Sequence, residues 1–163
     1  MDMLAEKVGT LLKSHSLMLA TAESCTGGGV AQAITEVAGS SGWFERGFVT
    51  YSNLSKQQML GVREETLEQH GAVSEITVRE MVEGALANST AQVALAVSGV
   101  AGPGGGSAEK PVGTVWFAWG FKNGETLAQR HQLNGNRAEI RDQAVHVALR
   151  GVVNLLNKKS EMA

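Results

Sequence analysis

Residues 17–29, LMLATAESCTGGG, decide how this chain begins to fold. An apolar run over Leu17–Ala20 gives way to small polar residues and three glycines, after which a helical pattern starts. The pattern predicts a buried strand over Leu17–Glu23, a tight turn, and a helix that begins near Thr26 with Thr26 as its N-cap. Such a turn places side chains and backbone N–H groups in a cleft at the carboxyl end of a strand.

The rest of the chain alternates between helical and strand patterns. Apolar residues at helical spacing predict helices over 3–14, 54–60 after an Asn53 N-cap, 64–70, a segment capped by Ser74, and 136–157. Strands are predicted over 43–52, 91–98, 112–121 and 126–133. The Asn123-Gly124 pair between the last two strands is a hairpin signal and forces one antiparallel pairing. These elements predict an α/β fold, a three-layer α/β/α sandwich with a mixed sheet of roughly five strands.

Composition narrows the class of protein. The chain has 163 residues, is 43% hydrophobic and carries a net charge of −2, so we expect a single globular domain over residues 1–163. Without a Lys/Arg run we expect no nucleic-acid partner, and no apolar stretch reaches the ~18–20 residues of a membrane span. The single cysteine excludes a disulfide framework and indicates a cytoplasmic protein.

Three residues capable of nucleophilic attack stand together in the predicted turn: Ser24, Cys25 and Thr26. On an extended segment, Ser24 and Cys25 point to opposite sides, so one faces the cleft and the other the interior. A thiol near a helix N-terminus is activated, but a lone cysteine beside a buried strand is more often part of the core. The N–H groups of Gly27 and Gly28 are candidates for an oxyanion hole, although small residues also suit a tightly packed turn.

A serine nucleophile needs a base, and none of the histidines is a strong candidate for that role. None of the four stands at a strand end or in a glycine-rich loop, and their spacing fits no metal site: His15, His70, His131 and His146. Lys56 is the alternative, because it follows Tyr51 at a predicted strand end and lies in the first turn of a helix. That position and burial both lower a lysine pKa, and a neutral lysine is a general base. The competing interpretation is an ordinary exposed lysine.

Two further features suggest anion binding. Residues 99–107, GVAGPGGGS, follow a buried strand and form what we call the glycine loop, whose backbone N–H groups suit a phosphate, with Lys110 just beyond. Glycines alone are a weak phosphate motif. Arg137 and Arg141 lie four residues apart at the start of the last helix, where they repel each other and oppose the helix dipole. Either nearby acidic residues compensate them or an anionic ligand does.

Four segments together resemble one family closely. They are TAESCTGG at 21–28, WFERGFVTYSN-x-x-K at 43–56, SGVAGPGGGSAEKPVGTVW at 98–116 and GNRAEIR at 135–141. These long, ordered motifs resemble the CinA C-terminal domain family, whose stand-alone members are nicotinamide-nucleotide amidases. The resemblance covers essentially the whole chain. It implies a mixed five-stranded α/β/α sandwich.

The resemblance also implies a reaction, the hydrolysis of the carboxamide of nicotinamide mononucleotide (NMN) to nicotinate mononucleotide and ammonia. The family works as a serine amidohydrolase with a Ser/Lys dyad and without metal or cofactor. Carried over, Ser24 is the nucleophile, Lys56 its base, and Tyr51 assists proton transfer or positions the lysine.

Ligand-binding positions and the assembly follow from the same resemblance. Gly27 and Gly28 are assigned to the oxyanion hole, and the family is often dimeric, so a homodimer is expected. The expected substrate-binding residues are Thr26, Gly102, Gly105, Gly106, Ser107, Lys110, Arg137 and Arg141.

Two departures from the family pattern lie in the expected ligand loops. Relatives often carry an acidic residue where this chain has Gly104, and an aspartate where it has Asn136. They leave open two alternatives, a nucleotide-binding paralogue without turnover and a Ser/Lys amidase for another amide. The larger N-terminal domain of full-length CinA proteins has no counterpart here, so its pyrophosphatase activity is not expected.

Overall fold

The computed structural model describes residues 2–162. Its helices are α1 (Asp2–Ser14), α2 (Gly29–Thr35), α3 (Asn53–Leu60), α4 (Glu64–His70), α5 (Glu75–Ala87) and α6 (Arg137–Met162), with a 3₁₀ turn at Ser40–Gly42. Its strands are β1 (Leu19–Glu23), β2 (Phe44–Val49), β3 (Val93–Gly99), β4 (Thr114–Phe121) and β5 (Thr126–Gln132). Over residues 2–162, no helix combines the length and apolar character needed to cross a bilayer.

The five strands form one mixed sheet in the order β2-β1-β3-β4-β5. Strand β1 pairs in parallel with β2 and β3, whereas β4 is antiparallel to both β3 and β5. Asn123 adopts the left-handed conformation (φ 58°) in the β4–β5 connection, so the predicted hairpin is confirmed. The parallel strands β2, β1 and β3 end at the same edge of the sheet, which is where α/β folds bind ligands.

The two faces of the sheet carry side chains of different size. The face under α1, α2 and α6 presents large residues such as Leu95, Val97 and Phe117. The face under α3, α4 and α5 presents mainly alanines, among them Ala22 and Ala96. Both faces are covered by helices, which confirms the three-layer α/β/α sandwich.

Two helix starts differ from the sequence-based expectation. Helix α2 begins at Gly29, not near Thr26, and its N-cap is Gly28 in the left-handed conformation (φ 100°). Thr26 is not a cap, because its hydroxyl donates to the Glu23 carboxylate at 2.6 Å. Helix α3 starts at Asn53 and is capped by Ser52, not by Asn53.

The reason for both differences is a competing side chain. Ser52 forms a capping box in which its hydroxyl accepts from the Ser55 N–H at 3.0 Å and its own N–H donates to the Ser55 hydroxyl. At α2 the N–H groups of Val30 and Ala31 find their acceptor in Glu23, at the end of the preceding strand. A cap supplied from outside the local window cannot be predicted from neighbouring residues alone.

Candidate active site

Ser24 and Lys56 meet at the carboxyl end of β1. Ser24 is the first residue after the strand, and Lys56 lies on α3, one helical turn after the Ser52 cap. The Lys56 Nζ lies 2.9 Å from the Ser24 Oγ, which is hydrogen-bonding distance. The turn of residues 24–28, called here the Ser24 turn, and the start of α3 therefore bring a hydroxyl and an amine into direct contact.

A closed ring of hydrogen bonds holds this pair. The Thr50 N–H donates to the Glu23 carbonyl at 2.8 Å, and the Thr50 carbonyl accepts from Lys56 Nζ at 2.8 Å. Lys56 Nζ completes the ring at Ser24, which is covalently joined to Glu23. The Ser24 N–H is itself bonded to the Val97 carbonyl of β3 at 3.0 Å. The relative position of nucleophile and amine is thus set by backbone groups of three strand ends.

Burial changes the acidity of Lys56. Only 1% of the residue is exposed, and within residues 2–162 no acidic side chain forms an ion pair with it. Removal from water disfavours the ammonium form and lowers the pKa of Lys56 to about 8. A lysine with this pKa has an appreciable neutral fraction at neutral pH and can accept a proton. The ordinary exposed lysine considered above is excluded.

Cys25 points away from this pair into the core. It belongs to the hydrophobic cluster beneath α2 and α6, whereas the neighbouring Ser24 faces α3. Burial raises the pKa of the Cys25 thiol to about 11, so it is protonated at neutral pH. Because the thiolate is the reactive form, the geometry favours Ser24 over Cys25 as nucleophile.

Ser24 and Lys56 open into a polar cleft bordered by four loops. These loops are the Ser24 turn, the β2–α3 connection, the glycine loop and the α4–α5 connection. None of the four histidines lines it. Its lining residues are Ser24, Cys25, Tyr51, Asn53, Lys56, Ala72, Val73, Ser98, Gly99, Val100, Ala101, Gly102, Gly104, Gly105 and Arg137.

Arg137 and Tyr51 meet at the mouth of the cleft. One Arg137 nitrogen donates to the Gly102 carbonyl at 2.8 Å, and the other donates to the Tyr51 hydroxyl at 2.9 Å. The arginine therefore links the glycine loop to the segment that precedes α3. Tyr51 is 61% exposed and makes no hydrogen bond to Lys56 or Ser24. Its contacts fit a role at the cleft mouth better than a direct part in proton transfer within the dyad.

Several residues expected at the site lie in a neighbouring hollow instead. Thr26, Gly27, Gly28 and Arg141 line a second depression between α2 and α6. The Gly27 N–H already donates to the Ser24 carbonyl at 3.0 Å, so this amide is not free to form an oxyanion hole. Arg141 donates to the Cys25 and Thr26 carbonyls, which explains its position without a ligand.

The expected binding residues Gly106, Ser107 and Lys110 also lie outside the cleft. Gly106 packs against Val112, where a Cβ would lie 2.8 Å from the Val112 nitrogen. Ser107 is exposed and its hydroxyl accepts from the Lys110 N–H. The Lys110 ammonium donates to the His70 carbonyl at the end of α4, at 2.6 Å. Lys110 therefore joins the glycine loop segment to the α4–α5 connection, a contact between residues forty positions apart.

The inner part of the glycine loop retains free donors. Within residues 2–162, the N–H groups of Ala101, Gly102 and Gly104–Gly106 donate to no protein acceptor. Gly104 does not adopt a positive φ, and no atom of the described chain lies within 4 Å of the place where a Cβ would stand. An acidic residue would therefore fit there too, and the departure at Gly104 is sterically neutral.

The departure at Asn136 has a structural explanation. The Asn136 side-chain oxygen accepts from the Glu139 N–H, and the Glu139 carboxylate accepts from the Asn136 N–H, both at 2.9 Å. This reciprocal pair caps α6, and asparagine and aspartate are equally good caps. Asn136 therefore preserves the helix start that carries Arg137 into the cleft.

Sequence reasoning missed three residues around the pair. Thr50 supplies the carbonyl that fixes Lys56, Ser98 lines the cleft from the end of β3, and Glu23 caps α2. Glu23 did leave a signal, since a charged residue ends an otherwise apolar strand. In the part of the chain that the structure describes, no cluster of three His, Cys, Asp or Glu side chains is placed to hold a metal.

Known proteins resemble this chain over most of its length. The CinA C-terminal domain family matches residues 1–156. The nicotinamide-nucleotide amidohydrolase PncC of Escherichia coli K12 is 59% identical over 146 residues, 90% of this chain and 88% of the relative. The Pseudomonas putida protein of that name is 53% identical over 152 residues, covering 93% and 94%. A crystal structure of the Agrobacterium tumefaciens competence/damage inducible protein CihA superposes with a TM-score of 0.92 at 50% identity, covering 96% and 94%.

Proposed function

The chain belongs to the CinA C-terminal domain family, and on that premise we propose that it hydrolyses the carboxamide of NMN with a Ser24/Lys56 dyad. The observation that carries this proposal is the 2.9 Å contact between Ser24 Oγ and the Nζ of a buried lysine. Two relatives, 59% and 53% identical to this chain, are named nicotinamide-nucleotide amidohydrolases, which supports NMN as the substrate.

The first half of the reaction forms an ester on Ser24. Neutral Lys56 accepts the Ser24 hydroxyl proton as Oγ attacks the carboxamide carbon. The proton then passes from the Lys56 ammonium to the amide nitrogen, the C–N bond breaks, and ammonia leaves. The nicotinoyl group of the nucleotide remains bound to Ser24 Oγ.

The second half consumes water. Lys56, neutral again, accepts a proton from a water molecule whose oxygen attacks the ester carbon. The bond to Ser24 Oγ breaks and the proton returns to that oxygen, which releases nicotinate mononucleotide. The sum is one amide and one water converted to one carboxylic acid and one ammonia, with no redox change.

The cleft suggests how the nucleotide is held. Arg137 and the free N–H groups of Gly102, Gly104 and Gly105 offer donors to the phosphate and to the oxyanion that develops during attack. Tyr51 closes the mouth beside Arg137. Lys110 and Arg141 are bonded to carbonyls elsewhere and act through the loops they hold. We further propose a homodimer that works without metal or cofactor.

A substrate panel tests the proposal most directly. Ammonia release is measured with NMN, nicotinamide, NAD and simple amides, and products are separated by chromatography. We expect turnover of NMN in excess of the others. Turnover of a different amide would keep the dyad and change the substrate, whereas calorimetric binding of NMN without product would mean a binding paralogue.

The pH dependence tests the role of Lys56. Since the base form must be present, kcat/KM should rise about tenfold per pH unit below 8 and level off above it. A profile that stays flat from pH 6 to 9 would contradict Lys56 as the base. Gel filtration with light scattering measures the assembly state.

A further inference from the structure

Glu23 is a buried carboxylate without a cationic partner. It is 1% exposed, and within residues 2–162 it takes part in no ion pair. Its Oε1 accepts from the Thr26 hydroxyl at 2.6 Å and the Val30 N–H at 2.8 Å, and its Oε2 accepts from the Ala31 N–H at 3.1 Å. The carboxylate is therefore held by one hydroxyl and by two N–H groups in the first turn of α2.

Capping alone does not require this arrangement. A Ser, Asp or Asn directly before α2 would satisfy the same N–H groups from the surface, without burial of a charge. Instead Gly28 occupies the cap position and makes no side-chain bond. The acceptor comes from the end of β1, on the far side of the Ser24 turn. The carboxylate therefore spans the turn from strand to helix.

The two glycines of the Ser24 turn depend on contacts with other residues for a fixed conformation. Gly27 and Gly28 both adopt left-handed conformations, with φ of 58° and 100°, and have no side chains to fix them. On the strand side, the Glu23 carbonyl belongs to the hydrogen-bonded ring that includes Thr50 and Lys56. Glu23 thus joins the ring on one side and α2 on the other, with Ser24 between.

We propose that Glu23 is a positioning residue that holds the Ser24 turn so that Ser24 Oγ stays in contact with Lys56 Nζ. This inference rests on the proposed function. Glu23 touches neither the amine nor the cleft, so it acts through the backbone of the turn. Displacement of a nucleophile by about 1 Å costs on the order of 100-fold in rate.

The test compares Glu23→Gln with Glu36→Gln, which removes the same charge from an exposed position at the end of α2. A glutamine at position 23 turns an NH₂ group toward one of the three donors, so at least one bond is lost. For Glu23→Gln we expect kcat with NMN to fall about 30- to 300-fold and KM to change less than about twofold. Glu36→Gln should behave as the unmodified protein.

Kinetics on fully folded protein distinguish a positioning role of Glu23 from a role in stability alone. Kinetics are measured well below the unfolding midpoint of each variant, with the folded fraction checked by circular dichroism. If Glu23 only stabilised the fold, kcat would return to the unmodified value once the variant is folded. A kcat within about threefold of that value would overturn the inference.

A second readout is independent of the substrate. An alkyl fluorophosphonate phosphonylates an activated serine oxygen with loss of fluoride, and peptide mass spectrometry measures its rate at Ser24. We expect Glu23→Gln to slow labelling by the same factor as kcat, with Ser24→Ala as the unlabelled control. If Ser24 is labelled but the protein does not turn over NMN, the proposed function fails. The labelling rates of Glu23→Gln and the unmodified protein then still test the positioning role of Glu23.

A milder variant covers the case in which Glu23→Gln does not fold. Thr26→Val removes one donor and keeps the carboxylate and its two backbone partners. We expect a fall of about three- to tenfold in both kcat and labelling rate, with faster hydrogen exchange at residues 24–31 and unchanged exchange in α6. Unchanged labelling and exchange in Thr26→Val would contradict the positioning role of Glu23.

Discussion

Two loops leave neighbouring parallel strands at the same edge of the sheet, and they are built in opposite ways. The Ser24 turn after β1 is short and is held by two side chains from outside it, since Glu23 accepts from the Thr26 hydroxyl and Arg141 donates to the Cys25 and Thr26 carbonyls. The glycine loop after β3 is longer and leaves the N–H groups of its inner residues without acceptors in the described part of the chain. The first loop presents a fixed hydroxyl, and the second presents free donors.

The two loops are therefore suited to different functions in the cleft. A nucleophile must be held within a fraction of an ångström of its base, which favours a turn fixed by hydrogen bonds to side chains around it. An anion needs donors that are not already engaged, which favours unpaired backbone N–H groups. Substitutions in the first region should therefore change kcat, and those in the second should change KM.

The largest effect is expected for Ser24→Ala. Loss of the nucleophile should lower kcat by about 10⁴-fold or more, while the glycine loop still binds NMN with a Kd within about threefold by calorimetry. Cys25→Ala is the matched control and should retain most of the activity. Full activity in Ser24→Ala beside an inactive Cys25→Ala would assign the chemistry to the thiol.

Lys56→Met should lower kcat by about 10²- to 10⁴-fold and raise stability. Because burial lowers the pKa of Lys56 from 10.5 in the unfolded chain to about 8 in the folded protein, the folded protein carries a buried ammonium below pH 8, which lowers its stability. Its stability should therefore rise between pH 8 and 10.5, where the unfolded chain binds the proton more tightly. Methionine removes this cost, so the free energy of unfolding at pH 7 should increase by about 1–3 kcal/mol.

Chemical denaturation at pH 7 and pH 10 checks the sign of the Lys56 effect. The advantage of Lys56→Met should shrink at the higher pH. A variant that is less stable than the unmodified protein at both pH values would mean that the lysine is stabilised by contacts other than those described.

Arg137→Met tests the role of the glycine loop in substrate binding. Loss of the bonds to Gly102 and Tyr51 should raise KM for NMN by about 10- to 30-fold and change kcat less than about threefold. Arg150→Met, an exposed position on the same helix, is the control. A loss confined to kcat would remove the distinction between the two loops.

Lys110→Met should have the smallest effect. Since Lys110 is bonded to the His70 carbonyl, its loss should loosen the cleft wall and raise KM about two- to threefold. The increase should be the same for NMN and for its dephosphorylated nucleoside, measured by inhibition if the nucleoside is not turned over. An effect on NMN alone would make Lys110 a phosphate ligand after all.

The features of this protein that depend on residues close together in the chain can be predicted from its sequence. The strand before Ser24, the Asn123-Gly124 hairpin, the buried β3 and the α/β/α layering all follow from patterns within about ten to twenty residues. The opposite orientation of Ser24 and Cys25 follows from strand alternation, and the sequence favours Lys56 as base because none of the histidines stands at a predicted strand end or in a glycine-rich loop. These features depend on backbone geometry that neighbouring residues set.

The long cationic side chains could not be placed in this way. Lys110 and Arg141 satisfy carbonyls forty and more than a hundred positions away, whereas Arg137, the third expected anion ligand, lines the cleft. A long flexible side chain can reach any of several acceptors around its backbone, so its partner depends on how distant loops are packed. The low pKa of Lys56 likewise comes from burial, which depends on how the surrounding loops are packed.

The sequence by itself determined which residues could react and which edge of the sheet they occupy, because strand alternation and helix starts are local. Only the tertiary structure decided that Lys56 meets Ser24 at 2.9 Å and that Glu23 spans the turn between β1 and α2. Those contacts join β1, α2 and α3, and their geometry exists only once the sheet has brought three strand ends together.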